Sequence, residues 1–336
     1  MVDANELFGS SPKPTVTVRR DRWGRYLLPC PGATKEQPFQ RVTTFIKMAS
    51  DTYNLEAWSA RNVAKGVAMR PDLAARASTL DIKANSKELN EIVREAKEVA
   101  GSRSAANMGT AIHNMSELWD SSRRDEVPEA HRPLMTAYQE MLDQHGINMV
   151  PELMERITVD CEYEVAGTFD RVGVQDGKLR MMDIKTGSVY PDSFKEYAIQ
   201  LWEYVKGVNT SGIWDPQAQE WDELEQKVEE DFGYIIHLPA DGSGCSLYKV
   251  DLEIGREGAA MCAAVRLWRS KKVKPEKVGD EVAQVYGDVR KSLFMDSVGA
   301  AKSMDDLVKL AGEARAAGIW DVDLSNACKR EAKKFG

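Results

Sequence analysis

The sequence has no run of about 18 apolar residues, which excludes a helix able to cross a membrane. Its opening stretch, MVDANELFGSSPKP, is polar, so no secretory leader is expected and a cytoplasmic location follows by default. Cysteine is sparse and scattered, at Cys30, Cys161, Cys245, Cys262 and Cys328. None forms a CxxC or a Cys/His pair at zinc spacing, which excludes a zinc finger. An odd, dispersed set reads as reduced structural thiols in a reducing compartment. Basic residues do not dominate: 45 Lys and Arg face 53 Asp and Glu, a net charge of −8. That balance argues against a sequence-blind DNA coat, but not against an enzyme that grips nucleic acid in one local groove. No phosphate loop of the form GxxxxGK[ST] is present, so the chain carries no motor of its own. Repeats and low-complexity tracts are also missing.

What is present is enough for one large domain or two modest ones: 336 residues, 43% apolar and 29% charged. Residues 1–40 read as an arm, broken by Pro12, Pro14, Pro29 and Pro31. Within it, Arg19, Arg20, Arg22 and Arg25 interleave with Trp23 and Tyr26. Such a strip is either a solvated hairpin whose aromatics pack on the core or a surface for phosphates and bases. Helical spacing follows from Leu55 to Val67, with Ser86 as N-cap of a helix over 87–101, then helices over 105–119 and 128–145 ended by Gly146.

The pattern then changes. Stretches 149–157, 158–165, 167–174 and 178–184 are short and rich in β-branched or apolar residues, and read as a meander. Asp176-Gly177 marks the last hairpin turn. A helix is expected at 192–207, two strands at 233–238 and 246–250, and a helix at 257–271. The stretch Asp215 to Asp231, with eight acidic residues and one lysine, reads as a solvated helix face. From residue 280 onward a separate helical piece is expected, with Ser303-Met-Asp-Asp306 as a capping box and Gly318 as a stop.

The chemistry concentrates around the 176–177 turn. Residues paired across a regular hairpin have a constant index sum, here 353, and 170 plus 183 is 353. Asp170 and Asp183 are therefore expected to lie opposite each other, about 5 Å apart at Cβ. Two carboxylates that close repel unless a cation neutralises them, and carboxylate oxygens suit Mg²⁺ or Mn²⁺. Lys185 follows Asp183 by two residues and points to the same face, where it can orient a water or stabilise charge on a phosphoryl oxygen. Gly109 and His113 share one helix face, as do Gln200 and Tyr204. Read alone, each of these pairs fits an ordinary helix better than a site.

Taken in order, Gly109-x-x-x-His113, Gly167-Thr-x-Asp170, Asp183-Ile-Lys185-Thr-Gly187 and Gln200-x-x-x-Tyr204 resemble the PD-(D/E)XK nuclease superfamily. Within it they are most similar to RecB-like exonucleases and their phage-encoded relatives, over roughly residues 41–270. Arg41-Val-Thr-Thr44, Trp58 and the stretch Arg22 to Pro29 look like actinobacteriophage exonucleases of this kind. The resemblance implies an α/β fold with a restriction-endonuclease-like core, a central mixed sheet flanked by helices. A helical N-terminal cap from residues 41–145 and a helical C-terminal appendage would complete it. The division implied is an arm at 1–40, a nuclease domain at 41–275 and an appendage at 280–336.

The resemblance also implies roles. His113, Asp170, Asp183 and the main-chain oxygen of Ile184 would bind Mg²⁺ or Mn²⁺, joined by Glu155, with Glu152 as the alternative. Lys185 would be the catalytic lysine, Gln200 and Tyr204 its positioning partners, and Thr186 a phosphate contact. DNA would be held by Arg19, Arg20, Arg22 and Arg25, and by a second basic stretch of Arg266, Arg269, Lys271, Lys272, Lys274 and Lys277. Where the family's name-giving proline stands, this chain has Phe169. Some relatives carry an iron–sulfur cluster on four cysteines; the dispersal of Cys245, Cys262 and Cys328 argues against one here. The activity implied is metal-dependent DNA exonuclease, in the host cytoplasm if the protein is phage-encoded, acting on linear DNA ends, with a single-strand annealing protein or further copies of itself as partners. The rival readings are a structure-specific endonuclease and a non-cutting DNA-end-binding recombination adaptor.

Overall fold

A computed structural model describes residues 18–276, 278 and 283–335. The chain divides into two compact units, Met1–Lys271 and Lys272–Gly336. Among the described residues no helix is long and apolar enough to cross a membrane.

The first unit is mixed α/β, with curled mixed sheets flanked by helices. Strands β1 (Tyr26–Leu28), β2 (Gln37–Arg41), β4 (Arg156–Asp160) and β5 (Val165–Phe169) form one sheet in the order β1-β2-β5-β4. Strands β3 (Ile147–Met149), β6 (Arg171–Gln175), β7 (Lys178–Lys185), β10 (Phe232–His237) and β11 (Ser246–Asp251) form a second, in the order β11-β10-β7-β6-β3. The helices are α1 (Val42–Phe45), α2 (Tyr53–Met69), α3 (Pro71–Ser78), α4 (Ser86–Val99), α5 (Ser102–Asp120), α6 (Arg132–Gln144), α7 (Ser193–Ser211) and α8 (Leu252–Ser270).

Strand β7 explains the layering. It is buried along almost its whole length, the mark of a central strand, and it pairs antiparallel with β6 and parallel with β10. Its side chains alternate between two cores. Met182 and Ile184 pack with Ile112, Met115, Tyr138 and Met141 of α5 and α6. Met181 packs with Leu201, Val205 and Val208 of α7, and that face also carries Asp183 and Lys185. The catalytic candidates on β7 thus share a face with α7.

Several expectations change. The meander is two sheets, not one: the chain leaves the first after Phe169 and enters the second at Arg171, with Asp170 between them. The stretch expected as strand 149–157 holds a short 3₁₀ turn at Pro151–Leu153. Residues 161–164 form a turn outside the strands, with Glu164 at φ 51°. The acidic stretch from Asp215 is no helix. It begins in a two-stranded hairpin, β8 (Ile213–Asp215) and β9 (Glu220–Asp222), held by the buried Trp214 against Trp221. Charge density alone indicates solvent exposure, not helix. Ser86 is not an N-cap but the first residue of α4, and the helix expected from 257 starts at Leu252, capped by Asp251.

The arm is not detached. Residues 1–17 lie outside the described residues, but 26–41 supply β1 and β2, with Leu28 and Phe39 buried. The cysteine reading also needs correction: Cys30 and Cys161 form a disulfide, with Cα atoms 6.1 Å apart. They follow β1 and β4, the two outer strands of the four-stranded sheet, and the curl of that sheet brings them together. A separation of 131 residues hides such a pairing from any reading of spacing. Cys245, Cys262 and Cys328 are free.

The second unit contains α9 (Ala283–Gly299), α10 (Met304–Ala316) and α11 (Val322–Ala332), packed through Val298, Leu307 and Ala327. Ser303 caps α10 by accepting from the Asp306 amide, and Gly318 follows the helix at φ 71°.

Candidate active site

The Asp176-Gly177 turn sets the register. Gln175 faces Lys178 and Arg171 faces Met182, where the ladder ends, so Asp170 lies one residue beyond the last pair. Because Asp170 has left the ladder, its carboxylate takes the place of a strand bond: Asp170 Oδ2 accepts from the Ile184 amide at 2.9 Å. Both carboxylates, with His113, Ile184, Lys185, Thr186, Gln200 and Tyr204, line one open cavity of about 470 Å³. Thr43, Thr168 and Gly187, which stand in the quoted motifs without a role, complete its wall with Ser188 and Tyr197, which the motifs do not include.

Asp183 is 1% exposed and tightly held. Lys185 Nζ lies 2.5 Å from its Oδ2, and Gln200 Nε2 donates to its Oδ1 at 2.8 Å. The Gln200 amide is fixed at both ends, since its Oε1 accepts from Lys185 Nζ at 3.0 Å. Tyr204 OH sits 3.3 Å from Gln200 Nε2, one helical turn on. Lys185 Nζ also lies 4.9 Å from the Tyr197 ring centroid, a cation–π contact that helps hold the ammonium.

His113 reaches the cavity from α5, with Nδ1 3.7 Å from Asp170 Oδ2. His113, Glu155 and Asp170 each offer a ligand atom, and all three atoms lie within 4.8 Å of one another. The donor set, one imidazole and two carboxylates, suits a divalent cation. Glu155 stands at φ 51°, a turn that directs it toward Asp170, whose carbonyl accepts from the Glu155 amide at 3.1 Å. Glu152 is exposed and outside this group. Asp183 lines the same cavity, but its oxygens face Lys185 and Gln200.

Burial dominates the electrostatics. It pushes the Asp183 carboxyl up to about 6, and the neighbouring Asp170 adds to the rise. Burial likewise raises Asp170, against the pull of Lys185 and Arg171. Burial lowers His113, which keeps the imidazole neutral and able to act as a ligand. Lys185 is desolvated too, but the two aspartates outweigh that and hold its ammonium charged.

Two glycines in the motifs have steric reasons. A Cβ on Gly109 would meet Thr186 Oγ1 at 2.6 Å, so a side chain there would force the Thr186 hydroxyl to move where α5 approaches the loop after β7. A Cβ on Gly167 would meet Tyr204 Cε1 at 2.6 Å and Val42 Cγ2 at 3.0 Å. Gly167 therefore makes the space that Tyr204 fills behind Gln200.

The basic residues are placed less centrally. Arg20 stacks on Tyr26 at 4.0 Å, and Arg22 and Arg25 lie 4.0 and 5.0 Å from the Trp23 ring, which is 64% exposed. Arg19 pairs with Glu36 and Arg25 with Asp21. This hairpin touches the cavity wall through Tyr26 OH and Thr168 Oγ1, 3.2 Å apart. Arg266 instead bonds the Tyr163 carbonyl and lies over Phe45, and Arg269 contacts Met48. Neither lines the cavity. Lys271, Lys272 and Lys274 are exposed, and Lys277 is outside the described residues.

Residues 74–233, which include α5, both aspartates, Lys185, Gln200 and Tyr204, match the family model of the PD-(D/E)XK nuclease superfamily. No curated protein matches the chain.

Proposed function

Taking membership of the PD-(D/E)XK nuclease superfamily as the premise, we propose that this chain is a divalent-metal-dependent DNA exonuclease that hydrolyses phosphodiester bonds at linear DNA ends. One observation carries the reading: Lys185, fixed between Asp183 and Gln200, lines the same cavity as His113 and Asp170, which group with Glu155 as a donor set. The order of the four motifs, similar to RecB-like exonucleases, supports the exonucleolytic form.

His113, Glu155 and Asp170 would hold Mg²⁺ or Mn²⁺, with Asp183 and the Ile184 carbonyl adjoining. Such an ion supplies positive charge for the scissile phosphate and lowers the pKa of a water. Lys185 orients the attacking water and stabilises negative charge on the phosphoryl oxygens. The water oxygen bonds to phosphorus as it gives up a proton, the bond to the 3′ oxygen breaks, that oxygen takes a proton to become a hydroxyl, and a 5′-phosphate remains. Gln200 holds both Lys185 and Asp183 in place, and Tyr204 backs the amide. The arginine and tryptophan strip of residues 19–25 would grip the strand, and Thr186 would touch a phosphate. Cytoplasmic recombination, repair or replication of phage DNA is the setting proposed.

End-labelled linear and circular DNA, incubated with Mg²⁺, Mn²⁺ or EDTA, tests this for wild type beside Asp183→Ala. Metal-dependent loss of linear DNA alone, abolished in the variant, is the expected result. Nicking or cutting of the circle would replace it with the endonuclease reading. DNA bound but uncut in every metal would favour the adaptor.

A further inference from the structure

Arg171 is fully buried, an expensive place for a guanidinium unless its donors are matched. They are. Nε donates to Asp120 Oδ2 at 2.8 Å, Nη2 to Ser116 Oγ at 2.7 Å, and Nη1 to the Asp170 carbonyl at 3.0 Å. Nη1 also lies 3.9 Å from Glu155 Oε1. Asp120 in turn accepts from Tyr138 OH of α6 at 3.0 Å.

The three segments that meet on this one guanidinium are those that carry the donor set. Ser116 and Asp120 lie three and seven residues after His113 and so share its face of α5. Asp170 is gripped by its main chain at the switch between the two sheets, and Glu155 by its carboxylate. No single backbone element spans these segments. We infer that Arg171 is a positioning residue that sets the spacing of His113, Glu155 and Asp170, and hence the affinity of this site for a divalent cation. A lysine cannot replace it, because an ammonium lacks the planar fork that reaches Asp120, Ser116 and the Asp170 carbonyl at once.

This inference rests on the reading of His113, Glu155 and Asp170 as the metal site. The test is calorimetric titration of Mn²⁺ into the full chain, without DNA, for wild type, His113→Ala and Arg171→Lys, with folding checked by circular dichroism. Wild type should bind, His113→Ala should bind weakly, and Arg171→Lys should show a dissociation constant about 10–100-fold higher. The metal concentration for half-maximal cleavage should rise in parallel, while kcat at saturating metal stays within a few fold. Binding lost in His113→Ala but unchanged in Arg171→Lys would overturn the inference alone. Absence of binding in wild type, or equal binding in His113→Ala, would overturn the metal-site reading and this inference with it. If Arg171→Lys fails to fold, Ser116→Ala and Tyr138→Phe each remove one bond of the network and should raise the dissociation constant several-fold. Unchanged binding in both would overturn the proposal.

Discussion

The side-chain amide of Gln200 accepts a hydrogen bond from Lys185 Nζ at 3.0 Å while its other end donates to Asp183 at 2.8 Å. An amide has one acceptor end and one donor end, so this pairing matches a cation to one and a carboxylate to the other. Gln200→Glu places a third carboxylate beside Asp183 and removes the donor. Steady-state cleavage should fall about 10–100-fold in Gln200→Ala and further in Gln200→Glu, the scale seen when a supporting hydrogen bond to a site is lost. Equal rates in both variants and wild type would remove Gln200 from the site.

Lys185 contributes a charge aimed at the phosphoryl oxygens. Lys185→Ala should lose cleavage by about 10²–10³-fold at saturating metal, the range for deleting one such donor. Circular dichroism of the variant should match wild type, since the ammonium sits at the cavity wall and not in either apolar core.

Gly109→Ala should lower activity although alanine favours a helix, because its Cβ would press on Thr186 Oγ1. Removing that oxygen should relieve the clash. The double variant Gly109→Ala/Thr186→Ala should therefore cleave faster than Gly109→Ala alone, measured on one labelled duplex. Additive losses would mean that contact is unimportant.

Glu203 lies on α7 away from the cavity, 2% exposed, with both carboxyl oxygens unpartnered. Burial, helped by Asp160 and Glu162 and opposed by Lys206 and Arg266, lifts its pKa to about 8. The folded state thus holds this proton more tightly than the unfolded chain. The unfolded glutamate ionises near its ordinary value of about 4.3. Stability should fall as pH rises from there to about 8, by up to about 1.4 kcal/mol per unit, and then level off. Glu203→Gln should lack this component, so its melting temperature should overtake wild type as pH approaches 8. Parallel curves for the two proteins would refute it.

The Cys30–Cys161 disulfide closes a loop of 131 residues, for which chain entropy gives a stabilisation of about 5 kcal/mol as an upper figure. Reductant, or Cys30→Ser, should lower the melting temperature by several degrees. No shift, with reduction confirmed by mass after alkylation, would show that the curled sheet holds without it.

Much of the site is legible in the chain because it is local. The hairpin index sum matches the observed register as far as Arg171 opposite Met182, next to the two aspartates, and the spacing of four brings Gln200 to Tyr204. What is not legible depends on distant segments. The split of the strands into two sheets falls at the single residue Asp170, between two short strands buried along most of their length, so nothing local marks it. Arg171 reads as one more charged residue on a strand, and only the Asp-Arg pair after Gly-Thr, with Ser116 and Asp120 on the His113 face, hints at its burial. The acidic stretch after Asp215 misleads because solvation fixes which side chains face water but not the backbone they sit on.

The sheet order β1-β2-β5-β4 also has a consequence for how the chain is made. The hairpin of β1 and β2 leaves the ribosome first, yet β5, which pairs with β2, begins only at Val165. At the usual pace of synthesis that interval lasts roughly ten seconds, during which Leu28 and Phe39 have no sheet to cover them. The nascent β1–β2 segment therefore has need of a chaperone until β5 is made, and slowed translation before residue 165 would prolong that exposure.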